Sequence, residues 1–244
     1  MYAKTSKEAG IAARIVRTAA DELGIEMPRN ADEKFIKYFE ILEKRGGEIN
    51  LTAINGAYDT AWLHFVDSIA LLAKYDLKNT NMIDVGSGAG FPGVPLKIAE
   101  ESINITLLEA TGKKAGFLAE LCEELNVKSE IICARAEEAA RGEKREQYDV
   151  AVTRALARMN VLCELCLPFV KTGGMLLAYK SVGADDELKE ADETIKKLGA
   201  EAENIYDYTV TDEKIRHRII CVRKKSRTPE EYPRRYAKIK KSPL

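Results

Sequence analysis

Histidine is scarce in this 244-residue chain: His64 and His217 are the only two. A metal centre built from several histidines is thereby excluded. Cysteine does not supply the missing ligands. The five cysteines, Cys122, Cys133, Cys163, Cys166 and Cys221, are odd in number and mostly lie in apolar runs. Cys163 and Cys166 form a C-x-x-C one turn apart on an apolar helix, without a second ligand pair, so they read as core thiols. No metal is expected. No run of about 18 apolar residues exists, so no bilayer span is expected. The opening stretch "MYAKTSKEAGIAARIVRTAADELG" lacks the apolar block of a signal peptide. These absences together point to a cytoplasmic protein, with a monomer as the default.

Excess charge is also missing overall, since the net charge is −1. Its distribution is uneven. From Lys214 to Leu244 there are twelve Lys and Arg against two Glu, which leaves residues 1–213 at −11. A basic segment on an acidic body can mark a polyanion partner, although a solvated tail has the same composition.

What is present reads as helices followed by an α/β alternation. In "KFIKYFEILEKRG", Phe35, Tyr38, Phe39 and Leu42 fall at i, i+3, i+4 and i+7, a stripe of helical period. Gly46 and Gly47 are expected to end that helix. "TAWLHFVDSIALLAKY" repeats the spacing with Trp62, Phe65, Val66 and Ile69. From residue 81 the pattern predicts strands over 81–85, 103–109, 128–133, 148–153 and 173–179. Helices are predicted over 93–101, 112–126, 135–142, 157–170 and 185–198, which implies a parallel sheet covered on both faces. "NIYDYTV" and "RHRIICVRK" have only a short polar connection and are expected to pair antiparallel. The division expected is a helical region over 1–75, a core over 76–225 and an irregular basic tail over 226–244.

The stretch "NMIDVGSGAGFPGVPLKIAE" carries the chemistry. Gly86, Gly88, Gly90 and Gly93 follow a strand and open a helix, so bare backbone can approach a ligand. Glu109, 21 residues after Gly88 at the end of the second strand, is placed to accept two ribose hydroxyls. A nucleoside ligand follows. Asp84, just before the first glycine, would repel a pyrophosphate and attract a methionine ammonium or sulfonium. The terminal antiparallel pair resembles the sheet of Rossmann-like methyltransferases, seven-stranded and mostly parallel. Both features favour S-adenosyl-L-methionine over a nicotinamide. Ala136 and Glu137, after the third strand, are candidates for holding the adenine. Arg154 ends the fourth strand and points at the ligand crevice. That strand end has neither an Asn/Asp-Pro-Pro-aromatic stretch nor a cysteine nucleophile. An acceptor that needs no proton removed, such as guanine N7, fits this absence.

Seven stretches resemble one family: the bacterial 16S ribosomal RNA guanine-N7 methyltransferases, once called glucose-inhibited division protein B. They are "INLTAI", "HFVDSIALL", "DVGSGAGFPGVPLKI", "LLEATGKKAGFL", "ARAEE", "TRALA" and "YPRRYAKIKKSPL", in order along nearly the whole chain. The resemblance implies a class I methyltransferase fold with N-terminal helices. It implies a cofactor site at Gly86, Phe91, Ala136, Glu137 and Arg154, with Glu109, Ala110 and Thr111 at the ribose. It further implies that Asn50, Thr52, His64, Asp67 and Ser68 line the substrate side. Arg154, His64 and Asn50 would position the substrate, with no general base.

The expected RNA contacts are Arg216, Arg218, Arg223, Lys224, Lys225, Arg234, Arg235, Lys238, Lys240 and Lys241, with Tyr232 and Tyr236 stacking on bases or covering the sheet edge. Lys113 and Lys114 can add charge near the cleft. Removing the chain from Arg234 onward is expected to spare cofactor binding and weaken RNA binding. The partner expected is 16S ribosomal RNA or a small-subunit precursor. A small-molecule methyltransferase, or a non-catalytic RNA- or nucleotide-binding module on the same fold, are the alternatives.

Overall fold

The computed structural model describes residues 2–49, 54, 56–211 and 215–244. Asn50 and Thr52 lie outside the described residues.

The chain opens with helices α1 (Tyr2–Glu22) and α2 (Ala31–Ile49). Helix α2 buries Phe35, Tyr38, Phe39 and Leu42, the predicted stripe. It does not stop at Gly46 and Gly47 but continues to Ile49. A glycine inside a helix costs only about 1 kcal/mol, which the rest of the helix outweighs. Helix α1 lays an alanine-rich face (Ala9, Ala12, Ala13, Ala19 and Ala20, all buried) into the same cluster. The next helical segment is irregular. A turn of α3 (Ala57–Asp59) passes into a π-helical stretch (Thr60–Val66), then α4 (Asp67–Ile69) and a 3₁₀ turn (Ala70–Ala73). π-Helical stretches often mark functional positions, and this one carries His64.

Seven strands follow: β1 (Asn81–Val85), β2 (Asn104–Glu109), β3 (Ser129–Cys133), β4 (Tyr148–Arg154), β5 (Val170–Ser181), β6 (Ala200–Thr209) and β7 (Arg216–Lys224). They form one sheet in the order β3-β2-β1-β4-β5-β7-β6. The first five are mutually parallel, and β7 runs antiparallel between β5 and β6. Helices α5 (Gly93–Ala99), α6 (Gly112–Glu124), α7 (Ala136–Ala139), α8 (Met159–Cys166) and α9 (Asp185–Lys197) connect them. The central strands are buried almost throughout, as a sheet covered on both faces requires. One apolar cluster joins the N-terminal helices, α5 and α6 to one face of the sheet, and a second joins α8 and α9 to the other. The order reverses at β1 and β4, so the crevice for a ligand opens at the carboxyl ends of β1, β2 and β4.

One further expectation needs correction here. The segment after β7 is not wholly irregular: it ends in a helix, α10 (Tyr236–Lys241), that buries Ile239 in the second cluster. Arg141 and Arg145 hold the carbonyls of Thr228, Pro229, Glu231, Tyr232 and Pro233. A proline-broken chain can be fixed this way without regular structure of its own.

Candidate active site

The glycine loop leaves β1 under tight control. Gly86 and Ser87 donate their N–H groups to the Leu108 carbonyl on β2. Gly90 has φ +103, and a Cβ there would lie 2.5 Å from the Tyr38 hydroxyl. That hydroxyl donates to the Ala89 carbonyl at 2.7 Å, so α2 buttresses the loop from behind. Asp84 is fully buried beneath it. Its Oδ2 accepts from the Gly93 N–H at 3.1 Å, while Oδ1 has no hydrogen-bond partner among the described residues. Burial pushes the Asp84 carboxyl up to about 7. Contrary to the expectation from sequence, Asp84 therefore does not reach the crevice surface; it braces the loop.

In front of the loop lies a cavity of about 280 Å³. Its walls include Gly86 and Gly88 from the first strand end, Glu109, Ala110 and Thr111 from the second, Ala136 and Glu137 from the third, and Arg154 from the fourth. All of these stand among the residues expected from sequence. Glu109 has a defined pose: one oxygen accepts from Gly88 N at 3.1 Å and the other from Thr111 N at 2.8 Å. Each carboxylate oxygen can take a second donor. Lys114 also lines the cavity, whereas Lys113 is an exposed helix residue.

Phe91 is not in that wall. It is buried in an aromatic stack, 5.3 Å from Tyr38 and 4.4 Å from His64, both nearly parallel to it. The Arg154 guanidinium lies 4.9 Å from the same ring. His64 faces this stack and does not line the cavity either.

Arg154 joins the cavity to a second group of polar residues. Its Nη1 donates to Asp67 Oδ2 at 2.7 Å and to the Leu63 carbonyl at 3.2 Å. Its Nη2 lies 3.1 Å from His64 Nδ1. A guanidinium can only donate, so Nδ1 is the acceptor and the proton of neutral His64 sits on Nε2. Burial and then the adjacent guanidinium push His64 down to about 3, which keeps it neutral. Asp67 is buried and also accepts from Tyr208 Oη at 2.6 Å and His217 Nδ1 at 2.7 Å. Burial acts to raise its carboxyl, but the bonds from His217, Arg154 and Tyr208 outweigh it and hold the group below its ordinary value. The bond to Asp67 in turn raises His217. Ser68 plays no part in a cleft: it is buried, and its Oγ donates to the His64 carbonyl one helical turn back.

Sequence reasoning missed Leu156, Arg135 and Tyr236 in the cavity wall, and Tyr38, Tyr208 and His217 around it. Tyr208 and His217 are cross-strand partners on β6 and β7, a pairing that only the register of the sheet reveals.

The basic segment divides sharply. Lys224 is not available to RNA: it is fully buried, and its Nζ donates to the Leu167 and Val170 carbonyls, Thr228 Oγ1 and Glu146. Burial pushes it down to about 8. Arg218 is buried between Asp207 and Asp185. Arg234 is held by the fully buried Glu164, through its backbone N–H, Nε and Nη2. Arg216 and Arg223 pair with Asp207 and Glu203, and Lys225 with Glu201 at 3.5 Å. Arg235, Lys238, Lys240 and Lys241 are exposed, and none of them enters an ion pair among the described residues. The C-x-x-C thiols are buried on α8, and burial pushes Cys163 up to about 12. Among the described residues no group of three or more candidate ligands can hold a metal, and no helix is long and apolar enough to cross a membrane.

The profile of the GidB family, rRNA small subunit methyltransferase G, matches residues 31–217. The chain belongs to this family of ribosomal RNA methyltransferases. It is 38% identical over 229 residues to the ribosomal RNA small subunit methyltransferase G of Clostridium botulinum (strain Alaska E43 / Type E3), covering 93% of this chain and 96% of that one. The protein of the same name from Alkaliphilus oremlandii is 40% identical over 233 residues, covering 94% and 98%. Among solved structures, the M. jannaschii TYW2 in complex with AdoMet superposes with a TM-score of 0.52 at 12% identity, over 65% of this chain and 74% of that one. At that identity the superposition shows the shared class I methyltransferase fold, which the strand order already displays.

Proposed function

We propose that the cavity takes S-adenosyl-L-methionine and that the protein methylates N7 of a guanine in 16S ribosomal RNA. The observation that carries the reading is the Glu109 carboxylate, pinned by the Gly88 and Thr111 N–H groups at the rim of the glycine-walled cavity. The donor set fits the cofactor. Glu109 retains acceptor capacity for ribose hydroxyls, Gly86 and Gly88 leave main chain uncovered, and Ala136 and Glu137 close the opposite side for the base. When bound, the cofactor supplies an electrophilic methyl group on a sulfonium.

The protein's residues supply position and field rather than a base. Asp67 already accepts from three donors, and His64 has its Nδ1 occupied by Arg154. Neither is free to remove a proton. Guanine N7 carries an in-plane lone pair and no hydrogen, so it needs none removed. Arg154, fixed between Asp67 and His64, presents a positive charge at the cavity edge and orients the acceptor. Exposed Arg235, Lys238, Lys240 and Lys241 supply phosphate contacts, which set register without reading sequence. A ribosomal RNA substrate supports a cytoplasmic location.

Transfer of label from methyl-labelled cofactor tests the reading. Label in N7-methylguanine of 16S RNA supports it, label in small metabolites favours the small-molecule alternative, and no label refutes catalysis. By calorimetry, Glu109→Ala and Gly86→Asp should abolish cofactor binding; affinity equal to wild type would refute the site.

A further inference from the structure

Resting on that reading, the geometry points to a role for Tyr236 other than the RNA stacking expected from sequence: we propose that its ring contacts the nucleobase of the cofactor, which makes the C-terminal segment part of the methyl-donor site. Tyr236 is the one residue from beyond β7 in the described wall of the cavity. The Arg135 guanidinium lies 5.9 Å from the centre of its ring. Arg135 precedes Ala136 and Glu137, the pair assigned above to the base, so the ring stands at the nucleoside end. It is 37% exposed, so part of the residue remains open to a ligand. A flat apolar surface at a nucleobase site contributes through stacking, which does not need the phenol hydroxyl.

The position of Tyr236 is set from both sides along the chain. Two residues before it, Arg234 donates three hydrogen bonds to Glu164, which is completely buried on α8. Three residues after it, Ile239 is completely buried against the same side of the sheet. Between these two anchors the ring has little freedom to leave the cavity, so much of the ordering cost of a contact is met before the ligand arrives. The expectation that the tail can be removed without effect on the cofactor is therefore revised: removal from Arg234 onward takes away both an anchor and a wall.

The test is calorimetric titration with two probes, S-adenosylhomocysteine and 5′-deoxy-5′-methylthioadenosine, the second lacking the amino-acid end. Tyr236→Ala should weaken both by about tenfold, equivalent to about 1.4 kcal/mol, and Tyr236→Phe should stay within about twofold of wild type. Tyr236→Ala should unfold in urea at the wild-type midpoint, which shows that the helix stays docked in that variant. If Tyr236→Ala weakens only S-adenosylhomocysteine, the ring touches the amino-acid end and the proposal is wrong. If Tyr236→Ala binds both probes like wild type while Glu109→Ala loses them, the ring contact is refuted and the cofactor site stands. If wild type binds neither probe, it is the cofactor reading itself that fails.

Discussion

Arg154 and Asp67, 87 positions apart in the chain, meet at 2.7 Å with only 15% and 3% of their side chains exposed. This pair ties the end of the fourth strand to the irregular helix of the N-terminal region, and it forms the boundary between the cavity and the His64–His217–Tyr208 group. A buried pair is weak evidence for stability as such, because its desolvation offsets much of its attraction. Losing one partner is a different matter.

Arg154→Ala should cost about 3 kcal/mol of stability, since Asp67 would keep its charge in the interior without its main counter-ion. Arg154→Lys should recover part of the stability but little transfer, because an ammonium cannot serve Asp67, His64 and the Leu63 carbonyl as a planar fork does. Urea unfolding and methyl transfer measured on the same samples check this; equal recovery of both would refute a positioning role.

The pH dependence divides between groups of opposite sign. His64, pushed down to about 3, binds a proton in the unfolded chain but not in the native one between that value and about 6.5, so stability falls as pH drops through this range. Asp67, held low, adds to the loss on the acid side. Asp84, raised to about 7, acts the other way: its contribution is present below the ordinary carboxyl value and is lost as pH rises towards neutrality. Asp84→Asn should thus gain stability over wild type by about 1–3 kcal/mol at pH 8 and show no such gain at pH 4. Urea midpoints at the two pH values decide it.

Gly90→Ala should destabilise the protein by about 2–4 kcal/mol, combining a left-handed backbone with contact against the Tyr38 hydroxyl. Tyr38→Phe alone should cost about 1 kcal/mol through the lost bond to Ala89. The double variant should be more stable than the sum of the two predicts, because the contacting oxygen is gone. Strict additivity in unfolding experiments would show that the contact does not matter.

The basic residues should separate into two classes. Arg234→Ala strands the buried Glu164 and should cost about 3–5 kcal/mol. Lys240→Ala/Lys241→Ala should leave stability within about 0.5 kcal/mol while lowering the salt dependence of RNA binding, with the log–log slope falling by about 0.7 per lost contact. Filter binding across a salt series would expose an error if the slope is unchanged.

Much of the fold was legible in the chain. Periodicity changes from the helical Phe35–Tyr38–Phe39–Leu42 stripe to short apolar strands, and the glycine loop with Glu109 at its correct distance marks the crevice. Local pattern is enough for these because each feature depends on neighbours a few residues away. The failures concern pairing across long separations. Composition counts Lys224 and Arg234 as positive charges but does not show that Glu146 and Glu164, 78 and 70 positions away, meet them in the interior. The same holds for Asp67, which meets Tyr208 and His217 across 141 and 150 positions. Phe91 follows the glycine loop in sequence, yet stacking with Tyr38 and His64 turns it away from the cavity.

Among the described residues strand β6 has one hydrogen-bonded neighbour, β7, which the ribosome makes after it. While the chain is being synthesised, residues 200–209 emerge with no sheet edge of their own to join. Their native partner exists only once β7 has been made, and an unpaired strand is open to mispairing until then. Tyr208 and His217 reach Asp67 only at that moment, so the polar group behind Arg154 is assembled late. A newly made molecule thus cannot complete this part of its machinery while those strands are still inside the exit tunnel.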